Sequence, residues 1–270
     1  MCCQRRGFNR VKLAAGITYD DSGAGGVPII CLHGIGGDTT SFQPQLDGLS
    51  DSNRVIAWNM PGYGGSTALT PPTFPALADA LKGFLDALGL AKAHLCGQSI
   101  GGMLALEMAC TYPEYVASLV LIGTTPAFGG RDDSFRDQFV AARLKPLDAG
   151  KSLAELAETF VAEITGPIAS PATIKAAQAT MAAVPEATYR DIIRCLTTFN
   201  RRDDIAGLTI PVCLISGEHD QNAPAKTMAR MAEKIPRSEY HNILGAGHLI
   251  NLEAGAQTNA ILTEFYRRHS

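Results

Sequence analysis

The chain has 270 residues, of which 46% are hydrophobic, and this is enough to bury the core of one full domain. Its formal net charge is -3 at pH 7, and the sequence has no basic stripe. We therefore expect neither nucleic acid nor an anionic membrane surface as a partner. No stretch approaches the roughly 18 consecutive apolar residues of a membrane span, and residues 1–8 lack the apolar run of a signal peptide. We therefore expect a cytoplasmic protein.

The first informative segment is a buried strand that runs into a glycine-rich loop. The apolar residues 28–32 are followed by His33-Gly34-Ile35-Gly36-Gly37. Because glycines let the backbone approach a ligand closely, we predict that the Ile35 amide donates to a bound group. His33 lies at the strand end, where we expect it to brace the loop. The phosphate-binding patterns G-x-G-x-x-G and G-x-x-x-x-G-K-[ST] are absent here, which argues against a phosphate site.

The central motif is Gly97-Gln98-Ser99-Ile100-Gly101, a G-x-S-x-G sequence between a strand-like run and a helix-like run that ends before Pro113. This setting predicts a strained turn that exposes the Ser99 hydroxyl, which makes Ser99 the candidate nucleophile. The alternative is a small-residue turn with an ordinary exposed serine. The Ile100 amide lies at the positive end of the following helix, and with the Ile35 amide it forms the predicted oxyanion hole.

The middle of the chain, residues 126–204, has apolar side chains at helical spacing. Its breaks at Gly150, Gly166-Pro167, Pro171 and Pro185 predict about four helices. Residues 1–125 and 205–270 instead alternate between strand-like and helix-like runs, which indicates an α/β core with a mostly parallel sheet covered on both faces.

The same middle segment contains seven arginines, and one of them could pair with a carboxylate of a substrate. The alternative is that all are solvated surface arginines beside nearby aspartates. The seven are Arg131, Arg136, Arg143, Arg190, Arg194, Arg201 and Arg202.

Two later strand-like runs lead into polar loops that supply an acid and a base. The first ends in Gly217-Glu218-His219-Asp220, and the second ends in Gly245-Ala246-Gly247-His248. The order serine, acid, histidine is that of serine hydrolases of this architecture. We predict that His248 takes the Ser99 proton and that Asp220, chosen over Glu218, orients the imidazole. Taken singly, Asp220 could instead be a turn former and His248 a loop histidine.

Together with residues 59–66, which follow a strand-like run at residues 54–58, these motifs resemble the α/β-hydrolase family. Residues 95–103 and 246–253 are most similar to 3-oxoadipate enol-lactonases and related small carboxylesterases. The resemblance implies an α/β-hydrolase fold with a mostly parallel central sheet and helices on both faces. It also implies that residues 126–204 are a helical cap, inserted after the sixth strand and lying over the nucleophile.

Three positions depart from the family pattern. Asn59 stands where the family usually has Asp, and Gln98 stands where it commonly has His. The one tryptophan, Trp58, lies in a predicted core strand, whereas enol-lactonases have a tryptophan in the cap. Neither Asn59 nor Gln98 removes a catalytic group, whereas the position of Trp58 argues against an exact match to the enol-lactonases.

The cysteine and metal-ligand patterns predict reduced thiols and no cofactor. The seven cysteines are an odd number without a C-x-x-C pair, and Cys31, Cys96 and Cys213 fall in predicted buried strands. No group of His, Cys and Asp has metal-ligand spacing.

A serine nucleophile forms an acyl-enzyme, so it requires a carbonyl electrophile. We therefore predict a serine hydrolase that cleaves carboxylic esters or lactones of small molecules. The alternatives are a carbon–carbon bond hydrolase of ring-cleavage products, a cofactor-free perhydrolase, and a catalytically slow ligand-binding homologue. No feature of the sequence predicts an oligomeric state.

Overall fold

The computed structural model describes residues 11–23, 25–129 and 133–269. In these residues one sheet contains eight strands in the order β1-β2-β4-β3-β5-β6-β7-β8. Strands β1 and β2 form an antiparallel hairpin, β2 pairs antiparallel with β4, and the remaining pairs are parallel. The strands are β1 (Lys12–Ala14), β2 (Ile17–Asp21), β3 (Ile29–Leu32), β4 (Val55–Trp58), β5 (Ala93–Gln98), β6 (Val116–Ile122), β7 (Val212–Gly217) and β8 (Ser238–Ile243).

The described residues form ten α-helices, and those outside the segment between β6 and β7 cover the two faces of this sheet. The ten helices are α1 (Gln43–Leu49), α2 (Phe74–Ala87), α3 (Ile100–Thr111), α4 (Asp133–Asp148), α5 (Leu153–Ile164), α6 (Pro171–Ala182), α7 (Glu186–Leu196), α8 (Ala225–Lys234), α9 (Ile250–Glu253) and α10 (Gly255–His269). Within these described segments, none of the helices combines the length and the apolar character that a membrane crossing requires.

Side chains of β3 show how the two faces are filled. Ile29 and Cys31 pack in one apolar cluster with residues of α1 and α10, whereas Ile30 and Leu32 pack in the opposite cluster with residues of α2 and α3. Alternating burial on both faces is expected of a parallel strand between two helical layers. The predicted α/β architecture with a mostly parallel sheet is therefore confirmed.

The segment between β6 and β7 contains the helices α4, α5, α6 and α7, which we call the inserted helices. Their ends coincide with the breaks predicted from glycine and proline. The segment returns to its starting point, because the Phe128 amide donates to the Phe199 carbonyl at 2.9 Å and the Arg201 amide donates to the Pro126 carbonyl at 2.8 Å. Arg131, one of the arginines of this segment, lies outside the described residues.

A two-pronged ion pair joins the end of the inserted segment to α3. Arg201 Nε donates to Glu107 Oε2 at 2.8 Å, and Nη2 donates to Oε1 at 2.7 Å. The Glu107 side chain is 5% exposed and that of Arg201 is 27% exposed. The carboxylate has therefore lost most of its water, and the guanidinium supplies the replacement hydrogen bonds.

Replacing Arg201 with methionine leaves this buried carboxylate without a partner. We expect Arg201→Met to lower the free energy of unfolding by about 1–3 kcal/mol, measured by chemical denaturation. The control is Arg267→Met, because Arg267 pairs with Glu264 at 2.8 Å in an exposed position. That change should cost about 0.5 kcal/mol or less, and equal losses in the two variants would contradict the structural role of the Glu107–Arg201 pair.

Candidate active site

Ser99 lies in a tight turn between β5 and α3. Its φ of 56° and ψ of -122° are unusual for a residue with a side chain. A Cβ on Gly97 would overlap the backbone of Gly101, and a Cβ on Gly101 would overlap the carbonyl of Leu32 in β3. The Ser99 amide donates to the Ile122 carbonyl of β6 at 2.9 Å. The turn is therefore fixed by the strands on both sides of β5.

The structure brings together the three residues that the sequence predicted as nucleophile, base and acid. Ser99 follows β5, Asp220 follows β7 and His248 follows β8, all at the same edge of the sheet, where ligands bind in open α/β folds. His248 Nε2 lies 3.0 Å from Ser99 Oγ, and His248 Nδ1 lies 2.8 Å from Asp220 Oδ2. Asp220 Oδ1 accepts from the amides of Asn222 at 2.8 Å and Ala223 at 3.0 Å.

Asp220 is 2% exposed. Burial raises the pKa of its carboxyl group, but His248 and the amides of Ala223 and Asn222 outweigh burial and hold the pKa below the usual value. An ionised Asp220 accepts from His248 Nδ1–H. This tautomer leaves Nε2 free to accept from the Ser99 hydroxyl, as proton transfer from serine requires.

Glu218, the alternative acid in the sequence, lies in a different environment. Its side chain is 48% exposed, and Oε2 accepts from the Gly245 amide at 2.8 Å. In the described part of the chain it makes no hydrogen bond to His248. Of the two candidate acids, Asp220 is therefore the one that supports the imidazole.

The glycine-rich loop after β3 is held by two aromatic side chains. Because the Met60 amide donates to His33 Nε2 at 2.9 Å, the ring proton lies on Nδ1, which donates to the Gly34 carbonyl at 2.8 Å. Burial lowers the pKa of His33 and so favours this neutral form. The Tyr63 hydroxyl donates to the Ile35 carbonyl at 2.9 Å. His33 therefore braces the loop, as the sequence predicted, and sequence reasoning missed Tyr63.

The two residues whose amides are predicted to form the oxyanion hole both lie near the nucleophile. Ile35 lines the same cavity as Ser99, and Ile100 is the first residue of α3. Among the described residues, neither amide donates to a protein acceptor. Both donors are consequently uncommitted within the described chain.

Two further contacts position the loop that carries His248. The Gln98 side-chain amide donates to the His248 carbonyl at 3.0 Å, and the His248 amide donates to the Ile164 carbonyl at the end of α5 at 2.7 Å. Gln98 thus links the nucleophile turn to the histidine loop. The second contact links that loop to the inserted helices.

Glu253 fixes the same loop through three backbone amides. Its Oε2 accepts from Gly247 at 2.8 Å and from Gly166 at 2.7 Å, and its Oε1 accepts from Leu249 at 2.9 Å. Gly247 and Leu249 flank His248, whereas Gly166 follows α5. Sequence reasoning assigned Glu253 no role. One sequence signal was available: Glu253 is an acidic residue shortly after His248. Because the backbone amides at a helix N-terminus are free to donate, an acidic side chain there can bind them.

A cavity of about 550 Å³ lies between this edge of the sheet and the inserted helices. Ser99 and His248 line it from the core. Most of the remaining wall is apolar and includes Phe128, Phe139 and Phe160. A mainly apolar concave site with few polar groups is typical of small-molecule binding.

The described residues contain one group with the side chains for a metal ion, and it is remote from this cavity. Cys213, Glu239 and His241 lie on β7 and β8 with their ligand atoms within 4.8 Å of one another. Glu239 is already paired with Arg268 at 2.6 Å, and burial raises the pKa of the Cys213 thiol. Both features disfavour metal binding, because metal ligands must be deprotonated and unshared.

Residues 27–255 match the family model described as alpha/beta hydrolase fold. The chain belongs to this family, which confirms the resemblance and the fold class that the sequence indicated.

Two curated relatives illustrate the range of the family. The chain is 29% identical over 265 residues to the dihydrolipoyllysine-residue acetyltransferase component of the acetoin cleaving system of Pseudomonas putida, covering 93% of this chain and 66% of that protein. It is 27% identical over 276 residues to a 2-hydroxy-6-oxononadienedioate/2-hydroxy-6-oxononatrienedioate hydrolase of Burkholderia vietnamiensis, covering 93% and 91%.

Two solved structures are similar over nearly the whole chain. A thermophilic esterase from Thermogutta terrifontis has a TM-score of 0.84 and 27% identity and covers 94% of both chains. The enol-lactonase from Burkholderia xenovorans LB400 has a TM-score of 0.82 and 22% identity and covers 93% of this chain and 96% of that one. At 22% identity the second match concerns the fold alone.

The three amides bound by Glu253 predict an effect on catalysis. In Glu253→Gln one acceptor oxygen becomes an amide donor, so at least one of these hydrogen bonds is lost and His248 is held less firmly. We expect kcat for ester hydrolysis to fall about tenfold with little change in KM. Steady-state kinetics on a 4-nitrophenyl ester measures both constants.

The matched control is Glu218→Gln, because Glu218 accepts one backbone amide of the same loop and is exposed. It should change kcat by less than about twofold. A kcat for Glu253→Gln equal to that of the control would contradict the positioning role of Glu253.

Proposed function

We propose that this protein is a serine hydrolase of small carboxylic esters or lactones, in which Ser99, His248 and Asp220 form the catalytic triad. The observation that carries the proposal is the continuous hydrogen-bonded chain from Ser99 Oγ through His248 to Asp220, with Ser99 on a strained turn that lines an apolar cavity. Residues 126–204 are the cap over the nucleophile.

In the proposed mechanism, Ser99 Oγ attacks the carbonyl carbon of the substrate while its proton passes to His248 Nε2. The Ile35 and Ile100 amides donate to the negatively charged oxygen of the tetrahedral intermediate. The bond to the leaving oxygen then breaks, and this oxygen takes the proton from His248. Asp220 stabilises the charged imidazole throughout.

The second half of the reaction releases the acyl group. A water molecule attacks the acyl-enzyme and gives a proton to His248. The new tetrahedral intermediate then collapses to the acid, and Ser99 Oγ, the leaving oxygen, takes that proton from His248. Each half-reaction leaves the histidine neutral at its end, so the cycle needs no cofactor.

The esterase relative, 27% identical over 94% of the chain, supports ester chemistry. A second candidate is supported by the 27% identical 2-hydroxy-6-oxononadienedioate/2-hydroxy-6-oxononatrienedioate hydrolase. For this chain it would be carbon–carbon bond hydrolysis with the same three residues. The broken bond would then join a ketone carbon to the neighbouring carbon, whereas in an ester it joins the acyl carbon to the ester oxygen.

The test is a hydrolysis panel of 4-nitrophenyl esters of increasing acyl length, neutral lactones and 2-hydroxy-6-oxononadienedioate. We expect turnover of esters or lactones, and a loss of about 10³-fold or more in kcat for Ser99→Ala, because the nucleophile is removed. Circular dichroism and thermal denaturation of the same preparations verify folding.

Ser50→Ala is the matched control, since Ser50 directly follows α1 and, among the described residues, its hydroxyl donates only to the Asp47 carbonyl, at 3.5 Å. Ser50→Ala should retain the kcat of the wild type. Wild-type rates in Ser99→Ala would place the nucleophile elsewhere. Turnover of the dienedioate without turnover of any ester or lactone would establish the carbon–carbon reaction instead.

A further inference from the structure

The seven arginines of residues 126–204 separate clearly in the structure. Arg190, Arg194 and Arg201 each have a carboxylate partner at 2.6–3.4 Å. Arg131 lies outside the described residues, and Arg136 does not line the cavity. The two that line the cavity with Ser99 are Arg143 and Arg202, of which Arg202 is exposed. Arg143 is thus the partly buried cation of the cavity wall.

Arg143 projects from α4 between two aromatic rings. Its guanidinium carbon lies 3.9 Å from the centroid of the Phe139 ring and 5.2 Å from that of Phe160. Stacking on ring faces orients the planar guanidinium without using its N–H donors. The position of the group is therefore defined while its donors stay available.

Within the described chain no carboxylate lies at ion-pair distance from Arg143. Burial lowers the pKa of the guanidinium, against the smaller opposing effects of Tyr189 and of Glu163, an exposed residue of α5. A cation that has lost water without gaining an acceptor is costly. A ligand that brings an anion to this position would recover that cost.

Tyr189 of α7 offers another donor in the same cavity. Its side chain is 1% exposed and lines the cavity. Helix α7 packs against α4, which carries Arg143. Burial raises the pKa of the Tyr189 hydroxyl to about 12, and the positive charge of Arg143 acts in the opposite direction. In the described residues the Tyr189 hydroxyl has no hydrogen-bond partner. It stays protonated at neutral pH and can donate.

We propose that Arg143 and Tyr189 form a subsite in the cap that binds a carboxylate. The preferred substrates are then esters or lactones that carry a free, ionised carboxylate in addition to the bond that is cleaved. This inference rests on the proposed function. The guanidinium fork matches the two oxygens of a carboxylate, and the hydroxyl adds another donor. One cation balances the single charge of a carboxylate, and the apolar wall contacts the carbon chain between that group and the scissile bond.

The experiment compares substrates that differ only in this charge. They are mono-4-nitrophenyl glutarate, adipate and suberate, and the methyl esters of their free carboxyl groups. We expect the wild-type ratio of kcat/KM, anionic over methylated, to exceed one for at least one chain length. Arg143→Met should lower that ratio about tenfold or more, and Tyr189→Phe should lower it by a smaller factor of about three.

Arg194→Met is the matched control, because Arg194 belongs to the same inserted helices but is exposed and paired with Asp191 at 3.4 Å. Its ratio should equal that of the wild type. Arg143→Lys keeps the charge but loses the fork, and it should recover part of the ratio. Equal losses on anionic and methylated substrates in Arg143→Met would overturn the subsite.

Binding to Ser99→Ala separates this proposal from the proposed function, since it requires no turnover. Calorimetric titration with glutarate, adipate and suberate should detect binding of at least one of them, weakened about tenfold or more by adding Arg143→Met. Arg143-dependent binding in a protein that hydrolyses no ester would retain the subsite and reject the hydrolase. The subsite alone would be rejected if the protein hydrolyses esters but Arg143→Met changes neither dicarboxylate binding nor the ratio of kcat/KM for anionic over methylated substrates.

Discussion

The close approach of α3 to β3 is the constraint on which the site depends. Gly101 packs so near the Leu32 carbonyl that no side chain fits between them, and the chain enters α3 there through a turn at Ser99 with positive φ. This turn directs the serine hydroxyl toward His248 instead of into the helix. It also leaves the first amides of α3 beside the hydroxyl, where negative charge would develop during acyl transfer. Backbone packing thus creates both the proposed nucleophile and half of its proposed oxyanion hole.

The position of the proposed base, His248, depends on contacts from the α/β core and from the segment between β6 and β7. Gln98 fixes the His248 carbonyl from the nucleophile turn, the Ile164 carbonyl fixes its amide from the end of α5, and Glu253 binds the amides on either side together with that of Gly166. Because Ile164 ends α5 and Gly166 follows it two residues later, a displacement of α5 would also displace the imidazole. The proposed cap is in this way mechanically connected to the reaction centre as well as to the substrate cavity.

Electrostatics divide the cavity into two regions. At the sheet edge Asp220 is compensated by His248 and by two backbone amides, so its charge is fully committed. Among the inserted helices Arg143 and Tyr189 are partly or fully buried and have no protein acceptor within the described residues. In a low-dielectric cavity an uncommitted charge selects its ligand more strongly than the same group in water would. The first region is suited to bond cleavage and the second to recognition.

Local motifs determined the outline of this protein from the sequence alone. The G-x-S-x-G motif, the polar loops after apolar strands and the four helical breaks are patterns of residues close in the chain, and Ser99, Asp220 and His248 could be predicted from them. The choice of Arg143 among seven arginines, and the link from Glu253 to Gly166 across 87 residues, could not be read in this way. They depend on which faces of separate helices meet the cavity. That is decided by the packing of distant segments, because a periodic pattern shows that a side chain lies on one face of a helix but not what that face contacts.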